Sequence, residues 1–416
     1  MNHSHEGFQN LTNVDVALAR FLQSVRKPGT QTESVLVAQS SVRVLAEDVV
    51  AKSEIPNSDR SVVDGFAVKS VDTQVASDRN ILVLRVAGES RLGKPCTGTV
   101  RNGCAFAIAT GSIVPKGADC VLPVEDVRRL TRHKIAVSNP AKPGENLLRK
   151  GEDLTRGKVV LTRGRLLRAE DLGVLKILGI KRVRVVRKPR VAILSTGNEL
   201  VDSQQSKLSS QIVDINRLVL SAKVKQFGGM PIDYGIVKDR KELIIETLRE
   251  AVKIADMVLV SGGSSVGPKD LVPSCVNAAG KPGMLVHGVA MRPAMPTGLA
   301  SVSGVPVISL PGFPVSATFA FLIFGRPMMT KLSGAKSVPE AKLQARTLEG
   351  VKGVKGYRTF IRVVLKKSDE GFTARPIYSQ RASVMMSLVA ADGYVVVPEK
   401  SGLIPKGRLV DVTLLT

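Results

Sequence analysis

The chain has 416 residues, 44% hydrophobic and 23% charged, the balance of a folded protein too long for one core, so two to four domains are expected. Sixty Lys and Arg against 36 Asp and Glu give a net charge of +24, which favours anionic partners. Trp is absent and aromatics make up 4%, which argues against a single-stranded nucleic-acid binder built on stacking. Four cysteines without a C-x-x-C pair, and no histidine at ligand spacing, exclude a zinc site or disulfide framework. No secretory signal opens the sequence, so a reducing cytoplasm is expected. The most apolar stretch, 305–324, is broken by Pro306, Pro311, Gly312 and Pro314 and is not expected to span a membrane.

In chain order, Val14, Ala17, Leu18, Phe21, Leu22 and Val25 have helical spacing, and Pro28-Gly29 ends the run. A polar loop then enters a short apolar strand at Asp64-Gly65-Phe66, where Asp64 is either a turn-former or a functional carboxylate. Residues 80–145 carry closely spaced Gly and Pro with little helical periodicity, the pattern of a small inserted β domain. Around Gly151, Arg149 and Lys150 face Glu152 and Asp153, either as a solvated salt-bridge turn or as a phosphate-and-metal loop. A short amphipathic helix is predicted over Ala169–Leu178. The basic run Lys181–Arg190 alternates like a strand with one charged face followed by a linker.

From 190 onward strands and helices alternate, which predicts a three-layer α/β domain with a mainly parallel sheet. Strands are expected at 191–195, 232–236, 257–261, 285–290 and 305–309, with helices at 213–227, 240–254, 270–279 and 314–330. Asp239 is a good N-cap for the helix bearing Ile244, Leu248 and Ala251. Ligands in such sheets bind beyond the carboxyl ends of strands. Three loops fall there: Ser195–Glu199, Ser261–Gly267 and Leu310–Pro314. The richest is DMVLVSGGSSVGPKD, a buried strand breaking into a glycine turn with Ser264 and Ser265 and bracketed by Asp256 and Asp270. Free backbone N–H groups there suit a phosphate, and the carboxylates suit a metal over it. The same letters spell G-x-S-x-G, but a hydrolase needs an acid and then a histidine downstream, and only His287 follows. Beyond 333, short strands at Tyr357–Leu365, Phe372–Ile377, Tyr394–Pro398 and Arg408–Leu414 predict a small separate β domain, with a helical stretch near Ser383–Val389.

Eight stretches in order (SVVDGFAV, GSIVPKGADCVLPVED, GENLLRKGEDL, ILSTGNEL, QIVDINRLVL, SGGSSVGPKD, RPAMPTG and LPGFPVSA) give the chain its resemblance to the molybdopterin molybdenumtransferase family, MoeA and the gephyrin E domain. The resemblance covers nearly the whole chain. It implies an elongated discontinuous domain at 1–52 and 146–185, an inserted β domain at 53–145, a molybdopterin-binding α/β domain at 186–332 and a C-terminal β-barrel at 333–416. The implied reaction is the last step of molybdenum cofactor synthesis: adenylylated molybdopterin is hydrolysed with release of AMP, and molybdate or tungstate is inserted, with Mg²⁺ assisting. The implied assembly is a homodimer with residues of both subunits in the cleft. Molybdopterin adenylyltransferase is the implied substrate donor, and neither nucleic acid nor membrane is a partner.

Matching positions imply catalytic carboxylates at Asp64, Glu152, Asp153, Glu199, Asp239 and Asp270. Metal ligands are implied among Asp256, Asp270 and Glu199. Thr196, Gly197, Gly262, Gly263, Ser265 and Gly267 would cradle pterin or phosphate, together with Pro311 and Gly312. Arg292, Pro293 and Pro296 would shape the oxyanion loop, and Arg149, Arg362 and Ser383 would face anionic groups. Three departures stand out. The family's Lys-Pro-Gly-Lys-Pro reads Arg292-Pro293-Ala294-Met295-Pro296, so a lysine is lost at Met295 and a permissive glycine at Ala294. Phe313 replaces a usual Asn, and Asn198 a usual Asp. The alternative reading is therefore an altered paralogue that binds molybdopterin but inserts metal poorly, or serves as a binding or scaffold protein.

Overall fold

The computed structural model describes residues 11–25, 31–94, 96–203, 210–263, 271–336 and 340–415. The chain forms two compact units: Met1–Ala46 with Gly164–Leu172 and Arg182–Thr416, and Glu47–Arg163 with Gly173–Lys181.

The first unit is built on a six-stranded sheet. Its strands are β1 (Arg190–Thr196), β2 (Met230–Val237), β3 (Met257–Ser261), β4 (Pro282–His287), β5 (Gly298–Val302) and β6 (Val305–Leu310), in the order β2-β1-β3-β6-β5-β4. The first four of that order run parallel, and β5 and β4 are antiparallel. All five side chains of β3 are buried, as a run of branched residues covered on both faces requires. Helix α2 (Lys241–Ile254) buries Ile244, Leu248 and Ala251 at helical spacing, as expected. Asp239 is not its cap: Arg240 holds that place without a side-chain bond, because Asp239 is engaged elsewhere. Helix α1 is Asn216–Gln226, and α3 is Val272–Ala279. Strand β5 was not expected from the sequence, and the strand expected at 285–290 begins earlier, at Pro282.

Five strands, Lys342–Thr347, Arg358–Ser368, Gly371–Pro376, Gly393–Val397 and Leu409–Leu414, close on themselves through the pairing of Arg358–Ser368 with Gly393–Val397, which makes the C-terminal β-barrel. Phe319 of the long helical stretch meets Phe360 and Tyr394 of the barrel at 5.6 and 5.3 Å between ring centroids, so one aromatic cluster joins sheet and barrel. The short strand Met291–Arg292 pairs with Arg358 and Thr359 and draws the segment 291–296 onto the barrel.

The second unit contains another six-stranded sheet, of Gly65–Val68, Leu82–Ser90, Cys104–Ile108, Cys120–Pro123, Val127–Thr131 and Lys134–Val137. Phe66, Val68, Leu84, Ala105, Leu122 and Ile135 fill its core. No described helix is long and apolar enough to cross a membrane.

Candidate functional site

Register decides where the site lies. Ser195 of β1 is level with Ser261 of β3, and Ser261 with Leu310 of β6, so the loops after these strands start side by side. Between them lies a cavity of about 650 Å³, within the range of small-molecule sites. Of the residues expected from sequence, Thr196, Gly197, Glu199, Asp239, Gly262, Gly263, Pro296, Pro311, Gly312 and Ser383 line it.

Gly262 makes the turn possible. Its φ is +97°, and a Cβ there would meet the Thr196 carbonyl oxygen at 2.4 Å. The Gly262 N–H donates to the Leu310 carbonyl at 3.0 Å, which ties the β3 loop to the β6 loop. On the other side, Asn198 and Asp239 bond reciprocally. The Asn198 N–H donates to the Asp239 carboxylate at 3.3 Å, and the Asp239 N–H to the Asn198 side-chain oxygen at 3.2 Å. This pair joins the loops after β1 and β2.

Sequence reasoning missed Asn216 and Asp214, and named Ser261 only as the start of its loop; all three line the cavity. Asn216 opens α1, and its amide donates to Ser261 Oγ and to the Gly312 carbonyl, both at 2.8 Å, so one side chain fixes two of the three loops. Its Oδ1 and the Thr196 hydroxyl are buried with no hydrogen-bond partner among the described residues. Such atoms are costly unless a ligand satisfies them. Asp214 is held by Arg217, whose guanidinium also reaches Asp202 and Asp233. The only signal was the motif QIVDINRLVL itself, since an Asn at a helix start otherwise reads as a cap. Among the described lining residues Glu199, Asp214 and Asp239 are acidic, and none is basic.

The remaining expected residues fall elsewhere. Ser265, Gly267 and Asp270 lie outside the described residues. Asp256, expected as a metal ligand, is not brought to the site. It precedes β3, at the amino end of the sheet, where Arg187 grips both its oxygens at 2.9 Å and the Arg190 N–H donates at 2.7 Å. Arg292 and Pro293 do not line the cavity, and the Arg292 guanidinium lies 4.9 Å from the Tyr357 ring centroid. Ala294 sits at φ +80°, the left-handed region where glycine is at ease. Arg362, in the barrel, is 0% exposed; its Nε and one Nη lack partners among the described residues, and burial lowers its pKa to about 10.

Asp64, Arg149, Glu152 and Asp153 belong to the second unit. Asp64 accepts from the Thr110 N–H at 2.7 Å and its hydroxyl at 3.0 Å, and these bonds lower its pKa despite slight desolvation. Around Gly151 the basic residues pair outside the turn, Arg149 with Asp59 and Lys150 with Glu54, while Glu152 accepts only the Arg149 backbone N–H, so the salt-bridge turn within 149–153 is not formed among the described contacts. No cluster of three or more His, Cys, Asp or Glu able to hold a metal occurs among the described residues.

A strand-end cavity of this kind, on a mixed sheet, marks an α/β ligand-binding domain, and residues 192–331 match the "Probable molybdopterin binding domain" family. Residues 12–179 match the "MoeA N-terminal region (domain I and II)", and 344–415 the "MoeA C-terminal region (domain IV)". The chain therefore belongs to the MoeA family of molybdopterin molybdenumtransferases. It is similar to the molybdopterin molybdenumtransferase of Staphylococcus aureus (strain COL), at 31% identity over 92% of this chain and 90% of that one. The corresponding protein of a Nostoc species is 35% identical over 73% and 70%. The crystal structure of the molybdopterin biosynthesis moeA protein of Pyrococcus horikoshii superposes with a TM-score of 0.86 at 33% identity, covering 97% of this chain and all of that one.

Proposed function

We propose that this chain is a transferase of molybdenum cofactor biosynthesis that binds molybdopterin at the strand-end cavity and inserts the metal of molybdate. The observation that carries this is the cavity wall, where the buried Thr196 hydroxyl and Asn216 carbonyl oxygen lack partners among the described residues, and a polar heterocycle would supply them. The substrate is adenylylated molybdopterin, and AMP is the other product.

Carboxylates facing an anionic substrate require a cation. Glu199 and Asp239, on adjacent loops, are oxygen donors of the kind Mg²⁺ takes, and Asp270 joins them in this proposal. When bound, Mg²⁺ would neutralise charge developing on the phosphoanhydride. The protein's part is positioning. The Gly262-Gly263 turn admits the ligand close to backbone, Asn216 locks the neighbouring loops, and Ser383 closes the mouth from the barrel side. Asp64, Glu152, Asp153, Arg149 and Arg362 keep the roles the resemblance implies. So do the oxyanion loop Arg292–Pro296, the four-domain division, a homodimer, a cytoplasmic setting and supply by an adenylyltransferase.

The test is to titrate molybdopterin into the protein and into Asn216→Ala and Asp239→Asn. The proposal expects wild-type binding, at least tenfold weaker binding for Asn216→Ala, and for Asp239→Asn near-normal binding with Mg²⁺-dependent AMP release lost. Wild-type affinity in Asn216→Ala would contradict this placement of the ligand.

A further inference from the structure

The basic run Lys181–Arg190 plays no part in the strand-end cavity, yet it borders another. A second crevice, of about 190 Å³, lies where residues 42–44, the linker 186–189, the end of α1 and the helix Arg326–Ser333 converge. Pro189 and Gly228 line it, and each leads into a strand of the sheet at its amino end. The molybdopterin cavity is at the carboxyl end, roughly 20 Å away along the seven residues of β1.

Its lining has one sign of charge. Arg43, Arg187, Lys188 and Arg326 contribute, and no carboxylate does. The acids that pair with three of them stand outside the crevice: Glu33 with Arg43, Asp256 with Arg187 and Glu340 with Arg326. Arg187 is fully engaged, bonding Gln31, Asp256 and the Lys188 carbonyl. Arg43 and Arg326 are not, since each uses a single Nη group on its carboxylate. Lys188 is exposed and has no carboxylate partner among the described residues. Arg43, Lys188 and Arg326 therefore border one space with donors unused among the described residues, a lining whose charge favours an anion.

The floor is apolar. Val44, Leu166 and Val186 line it beside Phe227, whose ring lies 5.1 Å from the Arg326 guanidinium carbon. The Thr330 and Ser333 hydroxyls donate to carbonyls of their own helix, and Ser333 Oγ also accepts from the Ala335 N–H, so the anion is left to the cationic side chains.

The geometry points to a second ligand site: this crevice takes a small organic anion, with a phosphate or carboxylate head held by Arg43, Lys188 and Arg326 and a compact apolar body against Phe227 and Val44. Five segments separated in sequence meet around it, so an occupant clamps them together and stabilises the unit. The reading does not depend on the reaction at the other cavity, and neither stands or falls with the other.

The probe is phenyl phosphate, titrated calorimetrically into the full chain, with inorganic phosphate and benzoate as separate arms to distinguish the head group. One saturable event is expected with phenyl phosphate, at least fivefold weaker with inorganic phosphate because the apolar floor goes unused. That event should be lost or weakened at least tenfold in Lys188→Gln and in Arg43→Gln, and kept in Lys400→Gln, an exposed lysine elsewhere. Lys188 is at the surface, so its variant reports on the site even where Arg43→Gln folds poorly. Benzoate binding more tightly than phenyl phosphate would assign the site to carboxylates within the same proposal. No saturable binding, unchanged affinity in Lys188→Gln, or equal weakening in Lys400→Gln would overturn it.

Discussion

At a few residues one atom decides the outcome. A methyl at Gly262 would be driven into the Thr196 carbonyl while the backbone is held at φ +97°. Gly262→Ala is predicted to destabilise the protein by about 1–3 kcal/mol and to weaken molybdopterin binding at least tenfold, read by urea denaturation and by titration. Phe313 is 59% exposed at the lip of the cavity, where an aromatic face is available to stack on a pterin. Phe313→Ala is expected to weaken binding by about 1 kcal/mol, roughly fivefold, while leaving the urea midpoint unchanged. Val42, a β-branched residue at φ +58° and 56% exposed, carries backbone strain without burial in return. Val42→Gly is predicted to raise stability by about 1 kcal/mol in the same urea assay, and a loss would refute that reading. Glycines and prolines in the strand-end loops were legible in the sequence because each has a backbone reason to be there. Asn216 was not, since its partners Ser261 and Gly312 are far away along the chain.

At the scale of elements, Asp256 shows how a spacing misleads. It sits just before β3 while the glycine turn sits just after, and a buried strand separates the two ends of the sheet. The alternation of strands and helices was readable because β3, β6 and α2 have clean periodicity. The strand Gly298–Val302 was not, because it begins inside the loop motif RPAMPTG and is antiparallel. Arg217 is the element-scale hinge of the site wall. It reaches Asp202, Asp214 and Asp233, and the Asp214 side chain is only 2% exposed. Arg217→Leu would leave that carboxylate buried without its cation, a change predicted to cost about 3 kcal/mol. The segment 212–215 lines the cavity, so molybdopterin affinity should fall with it. Calorimetry on the variant showing wild-type stability would contradict the hub.

For the whole molecule, the excess of positive charge makes the few well-placed acids important to the fold. Burial pushes the Asp171 carboxyl up, but the Arg165 guanidinium and the Arg168 N–H outweigh that and hold its pKa below the ordinary 3.8. Asp233 behaves alike: burial raises it, but the Gly235 N–H and Arg217 together outweigh that and lower it. Asp15 is lowered chiefly by its bonds to Arg358. Each carboxylate binds a proton less readily folded than unfolded, so its contribution is present above about pH 4 and is lost as pH falls through the lower folded values. Urea midpoints should be flat between pH 7 and 5 and drop below pH 4, with a shallower drop in Asp171→Asn.

This MoeA-family chain has Met295 where its family resemblance leads one to expect lysine, and metal insertion is the activity to test. The most direct measurement is AMP release and cofactor formation from adenylylated molybdopterin, with Mg²⁺, as molybdate is raised from low to high. The account predicts molybdate-stimulated turnover, with Met295→Lys shifting half-saturation to lower molybdate. Tight molybdopterin binding with no molybdate-stimulated AMP release at any concentration would contradict it and mark the protein as a binding paralogue.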